Sequence, residues 1–309
     1  MIITHIMHSA GMGNQMFMYA AGLAAASRLK TELKLGTWNF ESLTTEGRHY
    51  HLGCFPQITE QEASFTETFK ITPSTALKNL LIRKPLRRYH LFRRVIRKIL
   101  NKTARLERGV YMPDYDSWSP EFLKIKDNTF ISGYWESEKI FAEISGLVRR
   151  KFTFSPECFS PELSAKVQSC NSVAVHVRRG DKAIDNPIHL ASNEHYLKIA
   201  LEKISGLTEN PKFFVFSDDI AWCRHNLPKI HEADYSFIEG RTPPQDMALM
   251  TICRHVVVGV STFSWWGAWL NENPGKIIIA PDVRLWYKDG AYNHEDRKYL
   301  LPENWITIG

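Results

Sequence analysis

Short apolar runs alternate along the chain with longer Ala-rich or amphipathic stretches, and this alternation predicts an α/β protein. Ile2 to Met7 reads as a short buried strand, followed by a glycine-containing turn. Gln15 to Lys30 (QMFMYAAGLAAASRLK) reads as a helix that is apolar on nearly all faces and so is packed on more than one side. Asn128 to Trp135 (NTFISGYW) predicts a strand and turn, with a helix from Glu136 onward. The second half is clearer. Val173–Val177, Lys212–Phe216, His255–Val260 and Lys276–Ala280 read as strands, and Asn193–Ser205, Asp246–Cys253 and Trp265–Asn271 as helices. Such alternation across short loops makes a parallel, doubly wound sheet. Thr153 to Ser172, with Pro156 and Pro161, marks the junction, so the expected domains are 1–165 and 166–309.

One stretch breaks this pattern. Between Lys78 and Arg108 stand twelve Lys/Arg and one acid, Glu107, a local charge of +11. The remaining residues hold 27 basic and 32 acidic side chains, so the overall +6 belongs to this segment and not to the fold. Leu91, Val95, Ile96, Ile99 and Leu100 lie among its arginines and Pro85 interrupts it, which predicts a basic amphipathic helix or helical pair inserted at about 78–108. A basic amphipathic helix suits an anionic membrane surface. No recognised nucleic-acid motif accompanies the charge, so no nucleic acid is expected as a partner. No apolar run approaches the ~18 residues of a membrane span, and the start has neither the charge nor the apolar length of a signal peptide. Cys54, Cys158, Cys170, Cys223 and Cys253 are scattered and never spaced C-x-x-C, which argues for reduced thiols and against a zinc ribbon.

Four segments could carry chemistry. HVRRGD, His176 to Asp181, ends the strand SVAVHV, and residues at the carboxyl end of a parallel strand face the ligand crevice. Adjacent Arg178 and Arg179 suit a phosphate, because a guanidinium makes paired charge-assisted bonds and keeps its proton. A structural Arg–Asp pair would also place them there. FFVFSDD, Phe213 to Asp219, is a second strand ending in two carboxylates. Asp218 or Asp219 could accept the adjacent ring N–H and amino donors of guanine, or cap the next helix. In VVVGVSTFSWWGAWLN, Val256 to Asn271, the hydroxyls and N–H groups of Ser261, Thr262 and Ser264 stand at a helix start, where an anion can bind. Trp265, Trp266 and Trp269 read mainly as packing. GMGNQ, Gly11 to Gln15, superficially resembles a dinucleotide fingerprint, but Met16 replaces the third glycine and LKLGTW supplies no acidic residue ~20 residues on. Gly11 and Gly13 permit close approach by a ligand, and Asn14 and Gln15 are expected to be exposed at the turn.

Together these segments resemble the bacterial α-1,2-fucosyltransferases. GMGNQMFMYAAGLAAA is similar to that family's amino-terminal G-x-GNQ-x-FQYA segment, and GYWESEKIF (Gly133 to Phe141) to its GY-x-QSE-x-YF segment. HVRRGD matches H-x-RR-x-D, and DMALMTICRHVVVGVSTFSWWGAWLN resembles the donor-site signature. The likeness runs from residue 7 to about 282 in the family's order. Ala10, Met18, Lys182 and Val260 depart from it, and none touches the paired arginines.

The resemblance implies a GT-B-like fold of two facing Rossmann-type domains with parallel sheets, and inversion at the anomeric carbon. It implies GDP-fucose as donor, a galactosyl hydroxyl of a glycan as acceptor, and neither a metal nor a further cofactor. His176 and Asp219 would then contact guanine, while Arg178 and the loop of Ser261, Thr262, Phe263 and Ser264 would hold the diphosphate. Gly13, Asn14 and Gln15 in the first domain would meet the acceptor. Arg178 is the expected catalytic group. Asp181 stands beside the reacting centre in sequence but is also placed to orient Arg179, and Asn14 could position an acceptor without removing a proton. Two other readings stay open. Asp114-Tyr-Asp116 has the spacing of a metal-holding Asp-x-Asp, although Pro113 before it and Trp-Ser-Pro after it suit a loop or cap. A non-catalytic nucleotide-sugar or glycan-binding protein could use the same motifs. The expected location is the cytoplasm, with peripheral contact at the inner membrane through Lys78–Arg108.

Overall fold

The computed structural model describes residues 1–38, 40, 49–82, 99–100, 102–103, 107–113, 117–179, 187–231, 233–286 and 297–309. The chain divides into two compact units, Met1–Lys151 and Phe152–Gly309. Each is α/β around a wholly parallel sheet.

In the first unit β1 (Ile2–His5) leads into α1 (Met12–Leu29), β2 (Leu33–Gly36), α2 (Phe65–Ile71), α3 (Pro73–Ile82), β3 (Val110–Tyr111), β4 (Thr129–Ile131) and α4 (Ser145–Lys151). The sheet order is β2-β1-β4-β3. The Ala-rich α1 is buried on nearly every face, as its composition predicts. Its backbone lies so close to β1 that a Cβ at Gly22 would fall 2.6 Å from Thr4 Cβ. Thr4 Oγ1 donates to Met18 O at 2.8 Å, and Lys30 in the left-handed region ends the helix. The helix expected from Glu136 is instead two single 3₁₀ turns, Glu138–Ile140 and Ala142–Ile144, before α4. Trp135 at φ 59° and Ser137 in extended conformation set the chain direction there, so no α-helix can start at Glu136. Of the basic segment, α3 holds the first residues, while residues 83–98 lie outside the described ones.

The second unit runs α5 (Pro161–Gln168), β5 (Ser172–Val177), α6 (Pro187–Leu207), β6 (Lys212–Ser217), α7 (Ile220–Asn226), β7 (Asp234–Phe237), α8 (Pro243–Ile252), β8 (His255–Val257), α9 (Thr262–Leu270), β9 (Ile278–Pro281) and β10 (Ile306–Ile308). Its order is β10-β9-β8-β5-β6-β7. The chain builds outward from β5 in one direction and then returns to build outward from β8 in the other, which is the order of a dinucleotide-binding sheet. Val173, Val175 and Val177 pack with Phe213, Val215, Val257, Ile279 and the inward face of α6. The Tyr196 hydroxyl on α6 lies 2.7 Å from Val258 O, just past β8, and 3.1 Å from Ile279 O in β9, tying that helix to both. Trp265, Trp266 and Trp269 are core residues, and Trp265 Nε1 donates to Leu300 O at 2.8 Å.

Candidate active site

A crevice opens in a doubly wound sheet where the winding direction reverses, beyond the carboxyl ends of the two strands concerned. In the second unit those strands are β5 and β8, with β6 beside β5. Val177 pairs with Ser217 in register, so Arg178 and Asp218 leave the sheet side by side. Arg178 Nη1 lies 2.7 Å from Asp218 Oδ2, and Asp218 Oδ1 accepts from the Arg179 backbone N–H at 2.8 Å. The two arginines then part. Arg179 lays its guanidinium 3.7 Å over the Trp222 ring, with Nε 3.5 Å from Asp219 Oδ2 and Nη1 3.5 Å from Glu194 Oε1. Its side chain is 14% exposed, whereas that of Arg178 is 33% exposed. Arg179 therefore ties β5, α6 and α7 together, and Arg178 is the more exposed of the two arginines.

The two carboxylates also divide their work. Asp219 caps α7, its Oδ1 accepting from Trp222 N at 3.0 Å, and its own N–H donates to Ser217 Oγ at 3.0 Å. Asp218 holds the arginines. Across β5, the start of α9 supplies the next wall. Ser261 caps it by accepting from Phe263 N at 3.3 Å, and Ser261, Thr262 and Phe263 are partly exposed. Ser264 is wholly buried, with its hydroxyl 3.2 Å from both Gly259 N and Ser261 O, so it shapes the loop from inside. The loop passes tightly over β5: a Cβ on Gly259 would fall 2.5 Å from His176 O. The buried His176 ring lies 5.5 Å from that of Phe263.

In the first unit the GMGNQ segment opens α1. The helix begins at Met12, so Gln15 already lies one turn in and points to the interior. This corrects the expectation that Gln15 is exposed. Its Nε2 donates to Ala10 O (2.9 Å) and His49 O (2.7 Å), and its Oε1 accepts from His51 N (2.9 Å). Gly13 is buried, and Asn14 is the partly exposed member of the trio. At the end of β1, His5 packs against Trp38 and Phe130, with Nδ1 3.0 Å from Ser132 Oγ. Burial, then the charge of Lys78 and the neighbouring His8, lower its pKa to about 3, so it is neutral at ordinary pH. Asp181, Asp114 and Asp116 lie outside the described residues. Among the described residues no group of three or more His, Cys, Asp or Glu is placed to hold a metal ion. Trp222, Glu194 and His5 were not singled out in the sequence. The first two reach Arg179 from other elements, and only the Ser-Asp-Asp cap hinted at a helix there.

The α-1,2-colitosyltransferase of Escherichia coli is 30% identical over 307 residues, covering 97% of each chain. The O-antigen biosynthesis glycosyltransferase WbnK of Escherichia coli is 27% identical, covering 97% of this chain and 98% of its own. Human galactoside α-(1,2)-fucosyltransferase 1 is 28% identical over 210 residues, covering 63% of this chain and 56% of its own. The model of glycosyl transferase family 11 matches residues 6–308, and the chain belongs to that family.

Proposed function

We propose that the protein transfers L-fucose from GDP-fucose to a galactosyl hydroxyl of a glycan, with inversion, giving an α-1,2 linkage without a metal. The observation that carries this reading is Arg178, held by Asp218 at the reversal point of the sheet and a third exposed, with the α9 start one strand away. In the reaction the bond from the anomeric carbon to the diphosphate breaks and its electron pair leaves with GDP. The acceptor oxygen bonds to the opposite face of that carbon and gives up its proton. Arg178 meets the charge growing on the departing diphosphate, and the positive end of α9, with the Ser261 and Thr262 hydroxyls at its start, faces its other oxygens. His176 and Asp219 are assigned to the guanine, and Asn14, with Gly13 beside it, to the acceptor. Asp181 is the carboxylate assigned to the acceptor proton.

GDP release from GDP-fucose, measured with lactose as acceptor in excess EDTA, tests this. Acceptor-dependent release, with the linkage read by NMR, is the expected result. Release abolished by EDTA would instead favour a metal site at Asp114 and Asp116. GDP-fucose binding without turnover on any acceptor would favour a binding protein. A second donor is favoured by one observation: the relative at 30% identity over nearly the whole chain is named a colitosyltransferase. Competition between activated colitose and GDP-fucose decides between them.

The basic segment Lys78–Arg108 is assigned to an anionic membrane surface, with the enzyme on the cytoplasmic face. No helix among the described residues is long and apolar enough to cross a membrane.

A further inference from the structure

Beyond the carboxyl ends of the first unit's strands lie three side chains with no part in the donor site. Parallel strands present ligand-binding groups at that end. His5 ends β1, Trp38 stands two residues past β2, and Ser132 follows β4 directly. Strand register brings them together, since His5 pairs with Gly36, and Thr4 with Ile131. All three are partly exposed.

The indole is fixed in place. Trp38 Nε1 donates to Ala63 O at 2.8 Å. Its benzo edge lies against Gly36, where a Cβ would fall 2.6 Å from Cη2. Its plane lies 25° from that of His5 and 21° from that of Phe130, with centroids 6.3 and 6.2 Å away. Phe130 is buried and backs the cluster from the core. Trp38 thus offers a flat, rigid and partly open apolar surface.

His5 is held through one nitrogen. Nδ1 lies 3.0 Å from Ser132 Oγ, and among the described residues Nε2 has no hydrogen-bond partner. Ser132 is held in turn, its N–H donating to Tyr111 O at 3.0 Å. The turn after it reaches Trp135 at φ 59°, a left-handed conformation that is strained for so bulky a residue. Strain of this kind persists where packing imposes it and gathers at ligand sites. Burial, then Lys78 and His8, hold the His5 pKa at about 3, so the ring is neutral at ordinary pH. With Nδ1 on a hydroxyl, Nε2 of a neutral imidazole is an acceptor in one tautomer and a donor in the other. A sugar hydroxyl satisfies either, whereas a carboxylate or phosphate oxygen satisfies only the donor. Folding does not ask for this group. Leu would fill the place beside Trp38 and Phe130 without the cost of taking an imidazole out of water.

We propose that Trp38 and His5 form the acceptor-sugar subsite, with the C–H face of a galactopyranose on the indole and one of its hydroxyls on His5 Nε2. Galactose suits such a platform, because its axial hydroxyl stands on one side of the ring and leaves a patch of C–H groups on the other. The inference deepens the acceptor assignment above and rests on it. A partly open tryptophan or a lone histidine is ordinary by itself. Fixed together at neighbouring strand ends, they match the two kinds of surface that a sugar carries.

The test is saturation-transfer NMR of the full chain with lactose, beside calorimetry with GDP-fucose, on the wild type, Trp38→Leu and His5→Leu. Melting curves check that each variant folds, and Trp38→Phe, which keeps a ring, should recover part of the lactose signal. The wild type is expected to saturate the galactose C–H protons. In both leucine variants the lactose KM should rise at least ~10-fold, with GDP-fucose affinity within roughly 2-fold of wild type. Unchanged lactose binding by the folded variants would overturn the subsite and leave the transferase reading standing, as would a wild type that binds GDP-fucose but no lactose. Lactose saturation lost in the variants, from a chain that binds no GDP-fucose, would support the sugar site and sink the transferase reading.

Discussion

Arg178 Nη1 lies 2.7 Å from Asp218 Oδ2, while the other oxygen of that carboxylate takes the Arg179 backbone N–H. A single carboxylate thus fixes the side chain of one arginine and the main chain of the next. The in-register pairing of β5 with β6 is what brings it there, so the arrangement belongs to the sheet and needs no loop to form it. Arg178→Ala is expected to lower kcat at least ~100-fold with the melting temperature nearly unchanged, since a preorganised donor to developing charge is lost. A kcat close to that of the wild type would sink the assignment. Asp218→Asn keeps the size and loses the ion pair. Because the pair is partly solvated, its KM for GDP-fucose should rise only roughly 3- to 10-fold. In the double variant Asp218→Asn should add little to Arg178→Ala, because the carboxylate acts through the arginine.

Gln15 gives the opposite case, a motif residue whose side chain is spent inside the fold. Gln15→Ala leaves Ala10 O, His49 O and His51 N without their partner. The expected cost is about 1–3 kcal/mol by urea denaturation, because the buried Ala10 carbonyl loses a bond that water cannot replace. If Gln15 instead touched the acceptor, stability would hold and only the acceptor KM would rise.

What could be read beforehand follows from burial. The runs VAVHV, FFVF and HVVV are buried at every position and apolar but for His176 and His255, because β5, β6 and β8 are covered on both faces, and so they stand out. β2, β3, β7 and β10 did not stand out. Each lies at a sheet edge and is two to four residues long, and β2 carries Lys34 while β7 begins with Asp234. The proposed anion site could be picked out because its residues follow those central strands. The division between its arginines could not, since Trp222 approaches Arg179 from a different helix and no local spacing encodes that contact. The place of Gln15 turned on where α1 starts, and helix boundaries are weakly written in sequence.

Gly259 should be intolerant of any side chain. A methyl group there meets the His176 carbonyl oxygen at 2.5 Å and Nδ1 at 3.0 Å, and a backbone oxygen in a central strand cannot step aside. Gly259→Ala is expected to destabilise by about 1–3 kcal/mol and to weaken GDP-fucose binding as the Ser261 loop lifts. Gly11→Ala is the control. Nothing lies within 4 Å of a Cβ there and φ is −71°, so its stability should stay within about 0.5 kcal/mol of wild type. Equal stability of both variants would remove the close-approach argument.

The last prediction concerns pH. Asp246 sits in the first turn of α8 with Arg241 Nε 3.2 Å away, and both the helix start and the guanidinium favour its ionised form. Burial outweighs them and raises its pKa from 3.8 to about 6. A carboxyl whose folded pKa lies above its unfolded one lends stability through its proton. That contribution is whole below pH 3.8, declines as pH rises, and is gone above about 6. Asp246→Asn keeps a neutral group of the same shape at every pH. Near pH 4 the variant and the wild type should therefore be similarly stable. By pH 7 the variant should be the more stable by about 1–3 kcal/mol, with the difference growing between pH 4 and 6 and flat beyond. Urea denaturation at several pH values reads this directly. A wild type that gains on the variant as pH rises would mean that the attraction to Arg241 exceeds the cost of burial, and that Asp246 is ionised in the folded enzyme throughout.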